Sequence, residues 1–383
     1  MGQRIRIFIH SEPHLYPPTI HAANILAENG YSVELVGINY NHNNRIATHN
    51  NVRLIYIDTK RLGVGNIIQY IYSYVALSFM QLRRRAIWQF SYDPKSVGPV
   101  FISSILTASK WLYHNHDYYE NPRGWHKIYK FIEQRSARYA NVVSFPQLER
   151  SIKFKSKAKL RIEPLIVYNG PRSSWPNSNL KNDAYNTVET FSKSFKYILL
   201  YQGQFAKSYG LDTYIKCLAN LPSNVGLVMI GRKLESDINQ RFLDLARHIK
   251  VSSRLLLLDE INYFELPSIA NMCHLGLGKL TSNPQAPIND YYLTTASNKI
   301  SEYITLGLSV VLPTSDINLS FYQGKSFAVL CDPNNERNMA LKMSNTLLDA
   351  EASLSAKNKA ITVASEYHYD YQFQKILNII KRD

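Results

Sequence analysis

Apolar and polar positions alternate with two periods in the first half of the chain. Short apolar runs at 4–10, 31–38 and 52–57 predict strands, and helical periodicity extends from about 19 to 28. Strand, helix and strand in this order form a βαβ unit, which predicts a parallel sheet at the start of the chain. The series continues with predicted helices at 67–87, 101–108 and 127–139 and predicted strands at 111–114 and 141–144.

A second series of the same kind begins near residue 196. Predicted strands lie at 197–201, 225–230, 255–258 and 275–280, with predicted helices at 211–221, 237–249 and about 264–272. Such repeated βα units specify a second doubly wound sheet. We therefore predict an α/β protein with domains at 1–175 and 196–365, a Ser-, Asn- and Lys-rich linker at 176–195 and a terminal helix at 366–383.

The composition is that of a globular protein with an unusual charge. Of the 383 residues, 45% are hydrophobic, and 44 Lys and Arg against 29 Asp and Glu give a net charge of +15. This surplus predicts an anionic partner: a nucleotide sugar, a nucleic acid or an anionic bilayer surface. Nucleic acid is the weakest of the three, because the basic residues are dispersed and no nucleic-acid-binding signature occurs.

The cysteines and the first residues of the chain indicate the cellular compartment of the protein. Cys217, Cys273 and Cys331 are far apart and have no metal-ligand spacing, which predicts structural thiols in a reducing cytoplasm. The first residues lead directly into a strand, so we expect no signal peptide. No Asp-x-Asp motif follows a predicted strand, and we expect neither a metal nor a cofactor to be required.

The longest apolar stretch, 67–82, is interrupted by Gln and Ser and is too short and too polar to span a bilayer. It contains several aromatic residues and is followed by Arg83, Arg84 and Arg85. One interpretation is an interfacial membrane helix that serves a lipid-linked acceptor and makes peripheral contact with an anionic membrane. The other, which is favoured on general grounds, is a core helix with a solvated basic end.

The segment 294–313 has the most specific chemistry, because its pattern predicts a loop, a short helix and a buried strand. Ser297 or Asn298 would cap the helix. Lys299 would then lie in the first turn, where a cation opposes the helix dipole and a bound anion would remove the conflict. Since helix N-termini bind phosphate through free N–H groups, Lys299 and the amides of 296–298 predict a diphosphate site.

Glu302 follows Lys299 by three residues and faces the same side of the predicted helix. Its carboxylate could accept hydrogen bonds from ribose hydroxyls, as acidic residues do in dinucleotide sites. Alternatively, Lys299 and Glu302 form an ordinary ion pair on a solvated helix. Taken alone, these two residues do not decide between the interpretations.

The string Ser-Asn-Lys-x-x-Glu-Tyr-x-x-x-Gly-x-x-Val-Val at 297–311 resembles the donor-nucleotide motif of GT-B glycosyltransferases similar to family 4. The two predicted α/β series extend the resemblance over nearly the whole chain. It implies the GT-B fold, in which two Rossmann-like domains face a central cleft and a terminal helix crosses back to the N-terminal domain. It also implies a nucleotide-diphosphate sugar as donor and retention of the anomeric configuration.

The resemblance implies roles for individual residues at the ends of predicted strands. His116 and Asp117 match a His-Asp pair whose His lies near the reacting sugar. Gly203 matches a glycine close to the donor, and Lys207 and Arg232 are nearby cations that could reach the diphosphate. The alternative for both cations is an ordinary surface charge.

The sequence departs from the family pattern at three places. After Gly203, Gln204 stands where relatives have Arg or Ser, so Lys207 is the nearest cation. In the Glu-x7-Glu pair, Glu302 matches the second member, but Thr294 stands at the first. A hydroxyl can hydrogen-bond a donor sugar but supplies no charge, and Asp290 is close enough in sequence to substitute. In the first loop, Pro17 and Pro18 stand where many relatives have two glycines, which reduces backbone freedom there.

Three functions remain open at this point. The first is a transferase that moves a sugar to a glycan or lipid-linked acceptor in bacterial surface polysaccharide assembly. The second is a noncatalytic nucleotide-sugar-binding or scaffolding partner, suggested by Thr294. The third, an NAD-dependent oxidoreductase, is disfavoured because no Gly-x-Gly-x-x-Gly follows the first predicted strand.

Overall fold

The chain folds into two compact α/β units. The computed structural model describes residues 2–38, 48–57, 66–118, 122, 124–281 and 293–382. The first unit comprises Met1–Tyr168 and Gln372–Asp383, and the second comprises Asn169–Tyr371.

The first unit is built on a seven-stranded parallel sheet. Its strands are β1 (Arg4–Phe8), β2 (Ser32–Ile38), β3 (Val52–Ile57), β4 (Trp88–Ser91), β5 (Lys110–His114), β6 (Val142–Phe145) and β7 (Leu165–Ile166). Their order is β3-β2-β1-β4-β5-β6-β7, and all pairs are parallel. The strand order reverses at β1, and the carboxyl ends of strands at such a switch point are where α/β sheets bind ligands.

Among the described residues, five helices lie between the strands of the first sheet. They are α1 (Pro17–Glu28), α2 (Asn66–Arg83), α3 (Pro94–Thr107), α4 (His126–Ser136) and α5 (Leu148–Ala158). Asp93 caps α3 by accepting from the backbone N–H of Ser96 at 2.6 Å, and Pro94 occupies the first turn, where its missing N–H costs nothing.

The second unit is built on a six-stranded parallel sheet. Its strands are β8 (Tyr197–Gln202), β9 (Val225–Ile230), β10 (Leu255–Leu258), β11 (Leu275–Leu277), β12 (Ser309–Pro313) and β13 (Ala328–Cys331), in the order β10-β9-β8-β11-β12-β13. Its helices are α6 (Asp183–Ser192), α7 (Asp212–Leu218), α8 (Ile238–His248), α9 (Leu266–Ala270), α10 (Asn298–Thr305), α11 (Asp316–Tyr322), α12 (Glu336–Leu348) and α13 (Ala350–Tyr367). Helix α14 (Tyr369–Lys381) begins in this unit and continues into the first.

Short 3-10 turns complete the described secondary structure. They lie at Pro13–Leu15, Ala137–Tyr139, Trp175–Asn177, Lys207–Tyr209, Ser252–Arg254 and Tyr263–Glu265.

Each face of the second sheet is covered by its own apolar cluster. One cluster includes Phe242 and Met339, and the other includes Ile300, Tyr303 and Ile304 of α10. The three α10 residues are fully buried and recur with helical spacing, so they fix this helix against the sheet. Strands with both faces covered are expected to be apolar along their length, and β9 is buried at every position.

The predicted fold class, two doubly wound α/β sheets, is confirmed, while several element bounds differ. The helix predicted at 67–87 ends at Arg83, and the unpredicted strand β4 begins after four intervening residues. The helix predicted at 101–108 begins at Pro94. The predicted linker 176–195 contains α6, whose Val188 is fully buried. Within the described part of the chain, no helix combines the length and the apolar character needed to span a bilayer.

Candidate functional site

Helix α10 begins as the sequence predicts, directly after Ser297. The Ser297 backbone is extended and its side chain makes no capping hydrogen bond, so it leaves the first-turn N–H groups to other acceptors. The Asn298 side-chain oxygen Oδ1 is buried and accepts no hydrogen bond from the described residues. The start of α10 therefore has donor groups and a polar side chain available for a ligand.

Asn169 holds the loop that leads into α10. Its backbone N–H donates to the Thr295 carbonyl at 3.0 Å, and its Nδ2 donates to the Ala296 carbonyl at 2.9 Å. Ser301 Oγ donates to the Asn169 carbonyl at 2.6 Å. The sequence analysis assigned no role to Asn169, although these bonds determine where the loop lies before the helix.

Lys299 extends over the carboxyl end of β8. Its Nζ lies 4.0 Å from the centroid of the Tyr201 ring. A Cβ added to Gly203 would lie 2.9 Å from the same Nζ, and Gly203 has a φ of +125°, which L side chains rarely adopt. The structure therefore brings together Lys299 and Gly203, two residues that the sequence predicts at one site.

A second glycine allows the chain to pass close to Gly203. A Cβ added to Gly231 would lie only 1.6 Å from the Gly203 carbonyl oxygen, so no side chain fits there. Arg232 follows directly, and its exposed side chain lies at the carboxyl end of β9. Arg232 is thus at the same edge of the sheet as the Lys299 ammonium, which lies over the carboxyl end of β8.

Glu302 is buried and not part of a solvated surface. Only 5% of the residue is exposed. The Gln202 amide Nε2 donates to one carboxylate oxygen, and the Tyr263 hydroxyl donates to the other at 3.1 Å. Burial raises the pKa of Glu302 to about 7, while these two bonds and the charge of Lys299 act in the opposite direction. This burial removes the interpretation of Lys299 and Glu302 as an ion pair on a solvated helix.

The partners of Glu302 were missed by the sequence analysis. Gln202 is the last residue of β8, and its backbone N–H also donates to the Tyr303 hydroxyl at 2.8 Å. Its side-chain Oε1 is buried and has no partner among the described residues. A polar residue at the end of an otherwise apolar strand was the available signal.

The remaining predicted donor-binding residues differ in their surroundings. Thr294 is 1% exposed in the loop before α10. Lys207 is at the surface, where its Nζ lies 2.7 Å from Asp237 Oδ2. Asp290, the suggested substitute carboxylate, lies outside the described residues. Among those described, no group of three or more His, Cys, Asp or Glu side chains is arranged to hold a metal ion.

In the first unit, His116 and Asp117 follow the carboxyl end of β5, as predicted. The Tyr16 ring stands nearly perpendicular to the His116 ring, with centroids 4.8 Å apart, and the Tyr16 hydroxyl lies 3.4 Å from Asp117 Oδ2. Arg150 Nη1 donates to the His116 carbonyl at 3.0 Å. Burial lowers the pKa of His116, against the opposing charge of Asp117, so the ring is largely neutral at pH 7.

Two further titratable residues lie at the switch point of the first sheet. The backbone N–H of His10, after β1, donates to Asp93 Oδ2 at 2.6 Å, after β4. Burial raises the pKa of Asp93 to about 6 and lowers the pKa of His10 to about 4. Both ring nitrogens of His10 are buried without a hydrogen bond to the described residues. Asp93 was not predicted as a site residue because β4, the strand before it, was not predicted.

Several solved structures have the same fold and match nearly the whole chain. HepE from Anabaena in complex with UDP has a TM-score of 0.73 at 13% identity, with 100% of both chains covered. A glycosyltransferase from Rickettsia africae has a TM-score of 0.75 at 12% identity, covering 100% of this chain and 98% of the other. WaaG, a glycosyltransferase involved in lipopolysaccharide biosynthesis, has a TM-score of 0.71 at 14% identity, covering 98% and 99%.

Sequence comparison adds no closer relative. No protein-family model matches the chain, and no curated protein sequence matches it. At identities this low the structural likeness establishes the fold alone. The chain has the GT-B fold, two Rossmann-like α/β units, of the glycosyltransferases that it resembles in structure.

Proposed function

We propose that the protein is a glycosyltransferase that moves a sugar from a nucleotide-diphosphate sugar to a glycan or lipid-linked acceptor. The observation that carries this proposal is the position of Lys299. Its ammonium lies at the start of α10, beside Gly203 at the end of β8, where a strand end and a helix N-terminus of the same unit meet. Such an arrangement is suited to binding a diphosphate.

Transfer breaks the bond between the anomeric carbon and the diphosphate oxygen. Negative charge grows on the departing diphosphate, and Lys299 with the free N–H groups of 296–298 would stabilise it. Arg232 is a further cation on the same edge of the sheet. Lys207 is the weakest candidate, because it already pairs with Asp237. We also propose that the reaction uses no metal ion, because these groups can supply the charge stabilisation.

The nucleoside would bind next to the diphosphate through Glu302. Each carboxylate oxygen can accept more than one hydrogen bond, so the bonds from Gln202 and Tyr263 leave capacity for ribose hydroxyls. Thr294, Ser297 and Asn298 would provide uncharged contacts to the donor. In support, HepE has been solved with UDP and with UDP-glucose.

The acceptor and the proton would be handled by the first unit. A neutral His116 can accept a hydrogen bond or a proton from a sugar hydroxyl near pH 7, and Asp117 can orient a hydroxyl. We propose retention of the anomeric configuration, with the acceptor attacking on the side of the leaving group. A role in bacterial surface polysaccharide assembly in the cytoplasm fits the basic charge and the involvement of WaaG in lipopolysaccharide biosynthesis.

The second candidate is a noncatalytic nucleotide-sugar-binding partner. It is favoured by Thr294, since a buried hydroxyl stands where the family motif has a carboxylate. Both candidates require donor binding, and only the first requires turnover of the donor.

Thermal-shift screening against UDP-, GDP-, ADP- and TDP-sugars tests donor binding. A ligand that binds only the folded state at about 100 times its dissociation constant adds roughly 2.7 kcal/mol to the free energy of unfolding. We expect a shift with one nucleotide that is lost in Lys299→Ala and Glu302→Ala. Slow hydrolysis of that donor would favour the transferase over the noncatalytic partner. A folded protein that shifts with none of the nucleotides would contradict both.

A further inference from the structure

Helix α2 turns its apolar side chains away from the sheet. Ile68, Ile71, Val75, Phe79 and Leu82 follow each other at intervals of three or four residues and so form one stripe along the helix. These side chains are between 52% and 66% exposed. An ordinary covering helix would bury such a stripe against the sheet.

Polar side chains fix this orientation from the inner side of α2. Gln81 is fully buried, donates to the Ala86 carbonyl at 2.8 Å and accepts from Arg6. Arg6, on β1, is itself buried and paired with Glu34 on β2. Rotating α2 to bury the apolar stripe would break the bonds that Gln81 makes with Arg6 and Ala86, and a buried polar group that loses its hydrogen bonds is costly inside a protein. The outward stripe is therefore imposed by the fold.

Helices α3 and α4 continue the apolar surface beside α2. The three helices meet closely at Gly98, where an added Cβ would lie 2.0 Å from the Tyr74 hydroxyl of α2 and 2.9 Å from Ile132 Cγ2 of α4. The apolar side chains that α3 and the start of α4 expose by 40% to 60% are Ile102, Ile105, Leu106, Trp125, Ile128 and Phe131. Together with the α2 stripe they form what we call the α2–α4 face. Clusters of exposed apolar side chains on neighbouring helices are typical of binding sites.

The charges on these helices all have one sign at the surface. Helices α2 and α3 contain no Asp or Glu, and the single acidic residue of α4, Glu133, is fully buried. Exposed basic residues surround the apolar side chains: Arg83, Arg84 and Arg85 after the stripe, and Lys127 and Arg135 on α4. Apolar and aromatic side chains edged by Lys and Arg, with no acidic group, are suited to the interface of an anionic bilayer.

We propose that the α2–α4 face docks on an anionic lipid bilayer as a peripheral contact. The proposal goes beyond sugar transfer and does not depend on it. A second copy of this chain is a poorer occupant, because a symmetric contact would place Arg83 and Arg84 against the same basic surface of the partner. The lipid headgroups supply the opposite charge over the whole face.

Flotation of the full-length protein with vesicles tests the proposal. We expect the protein to float with vesicles of phosphatidylcholine mixed with phosphatidylglycerol and to bind vesicles of phosphatidylcholine alone much more weakly. Val75→Glu with Phe79→Glu should lower partitioning about tenfold or more, because two inserted apolar groups become anionic. The matched control is Leu341→Glu with Leu354→Glu, which changes leucines that are 57% and 60% exposed on α12 and α13 and should leave flotation unchanged.

The contribution of the basic residues to vesicle binding is tested separately. Arg83→Ala with Arg84→Ala should weaken binding to the anionic vesicles about thirtyfold at low salt, and added salt should weaken wild-type binding in the same direction. Circular dichroism of each variant shows whether it is folded, and all changed side chains are exposed.

Three outcomes would overturn the proposal. One is a folded wild-type protein that stays in solution with anionic vesicles at low salt. Another is equal flotation of the wild type and the Val75→Glu, Phe79→Glu variant. The third is a dimer in light scattering that becomes a monomer in this variant while no vesicle binding is seen, which would assign the face to a second copy.

Discussion

The ammonium of Lys299 lies 4.0 Å from the centre of the Tyr201 ring, so a residue of the helix start is held above a residue of β8. A cation–π contact of this kind contributes about 0.5–2 kcal/mol. The contact holds the ammonium in position before any ligand binds. The Lys299 side chain therefore loses little conformational freedom on binding.

Lys299→Ala should lower kcat/KM for donor-dependent transfer about 10²- to 10³-fold, because it removes the charge that we propose stabilises the leaving diphosphate. The free energy of unfolding should fall by no more than the roughly 0.5–2 kcal/mol of the lost cation–π contact. The matched control is Lys325→Ala, since Lys325 Nζ lies 3.7 Å from the Phe321 ring in the same unit and follows α11. Equal loss of activity in both variants, measured with the same donor, would argue against a specific role for Lys299.

Gly203→Ala should abolish the thermal shift by the donor nucleotide. The new Cβ would adopt an unfavourable φ and would lie 2.9 Å from Lys299 Nζ, which must move. Gly324→Ala is the control, because Gly324 has a φ of +74° with no atom within 4 Å of the added Cβ. Both variants should lose about 1–2 kcal/mol of unfolding free energy, but only Gly203→Ala should lose nucleotide binding. Retained binding in Gly203→Ala would place the diphosphate elsewhere.

Glu302 should make the free energy of unfolding depend on pH. Its pKa is about 7 in the folded protein and 4.5 in the unfolded chain, so the folded state holds the proton more tightly. This contribution is fully present below pH 4.5 and is lost as pH rises through 7, by about 3 kcal/mol. Glu302→Gln should remove that part of the slope, as measured by urea unfolding between pH 5 and about 8. Parallel curves for both proteins would contradict the raised pKa.

His116→Ala should lower the transfer rate about 10²- to 10⁴-fold while leaving nucleotide affinity unchanged, because His116 belongs to the first unit and Lys299 to the second. Since burial lowers the pKa of His116 below 6.5, the wild-type rate should not change with its ionisation above pH 7. His248→Ala, at the exposed end of α8, serves as the control. If His116→Ala changed the nucleotide dissociation constant, the role of His116 in the transfer rate would not be separate from nucleotide binding.

The sequence predicts which residues of α10 lie close together in the candidate site. Ser297, Lys299 and Glu302 lie within one turn and a half of a helix, so their spacing alone places them together. Gly203 is almost a hundred residues away, and only the resemblance to a known motif placed it beside Lys299. The partners of Glu302, namely Gln202 and Tyr263, depend on tertiary contacts that no periodicity encodes.

The orientation of α2 shows a second limit of sequence interpretation. A stripe such as Ile71, Val75 and Phe79 is expected to face the core, and a core helix was favoured for this segment on general grounds. The structure reverses that orientation, because Gln81 bonds to the buried Arg6. Periodicity identifies the two faces of a helix, whereas a distant buried charge decides which of them is covered.

The buried carboxyl group of Glu302 also links ligand binding to proton exchange. A ribose that donates hydrogen bonds favours the ionised carboxylate, so nucleotide binding near or below pH 7 should release protons into the buffer. The apparent binding enthalpy would then change with the ionisation enthalpy of the buffer. Calorimetric titration in phosphate and in Tris would measure how many protons leave, and the same titration of Glu302→Gln should show no dependence on the buffer.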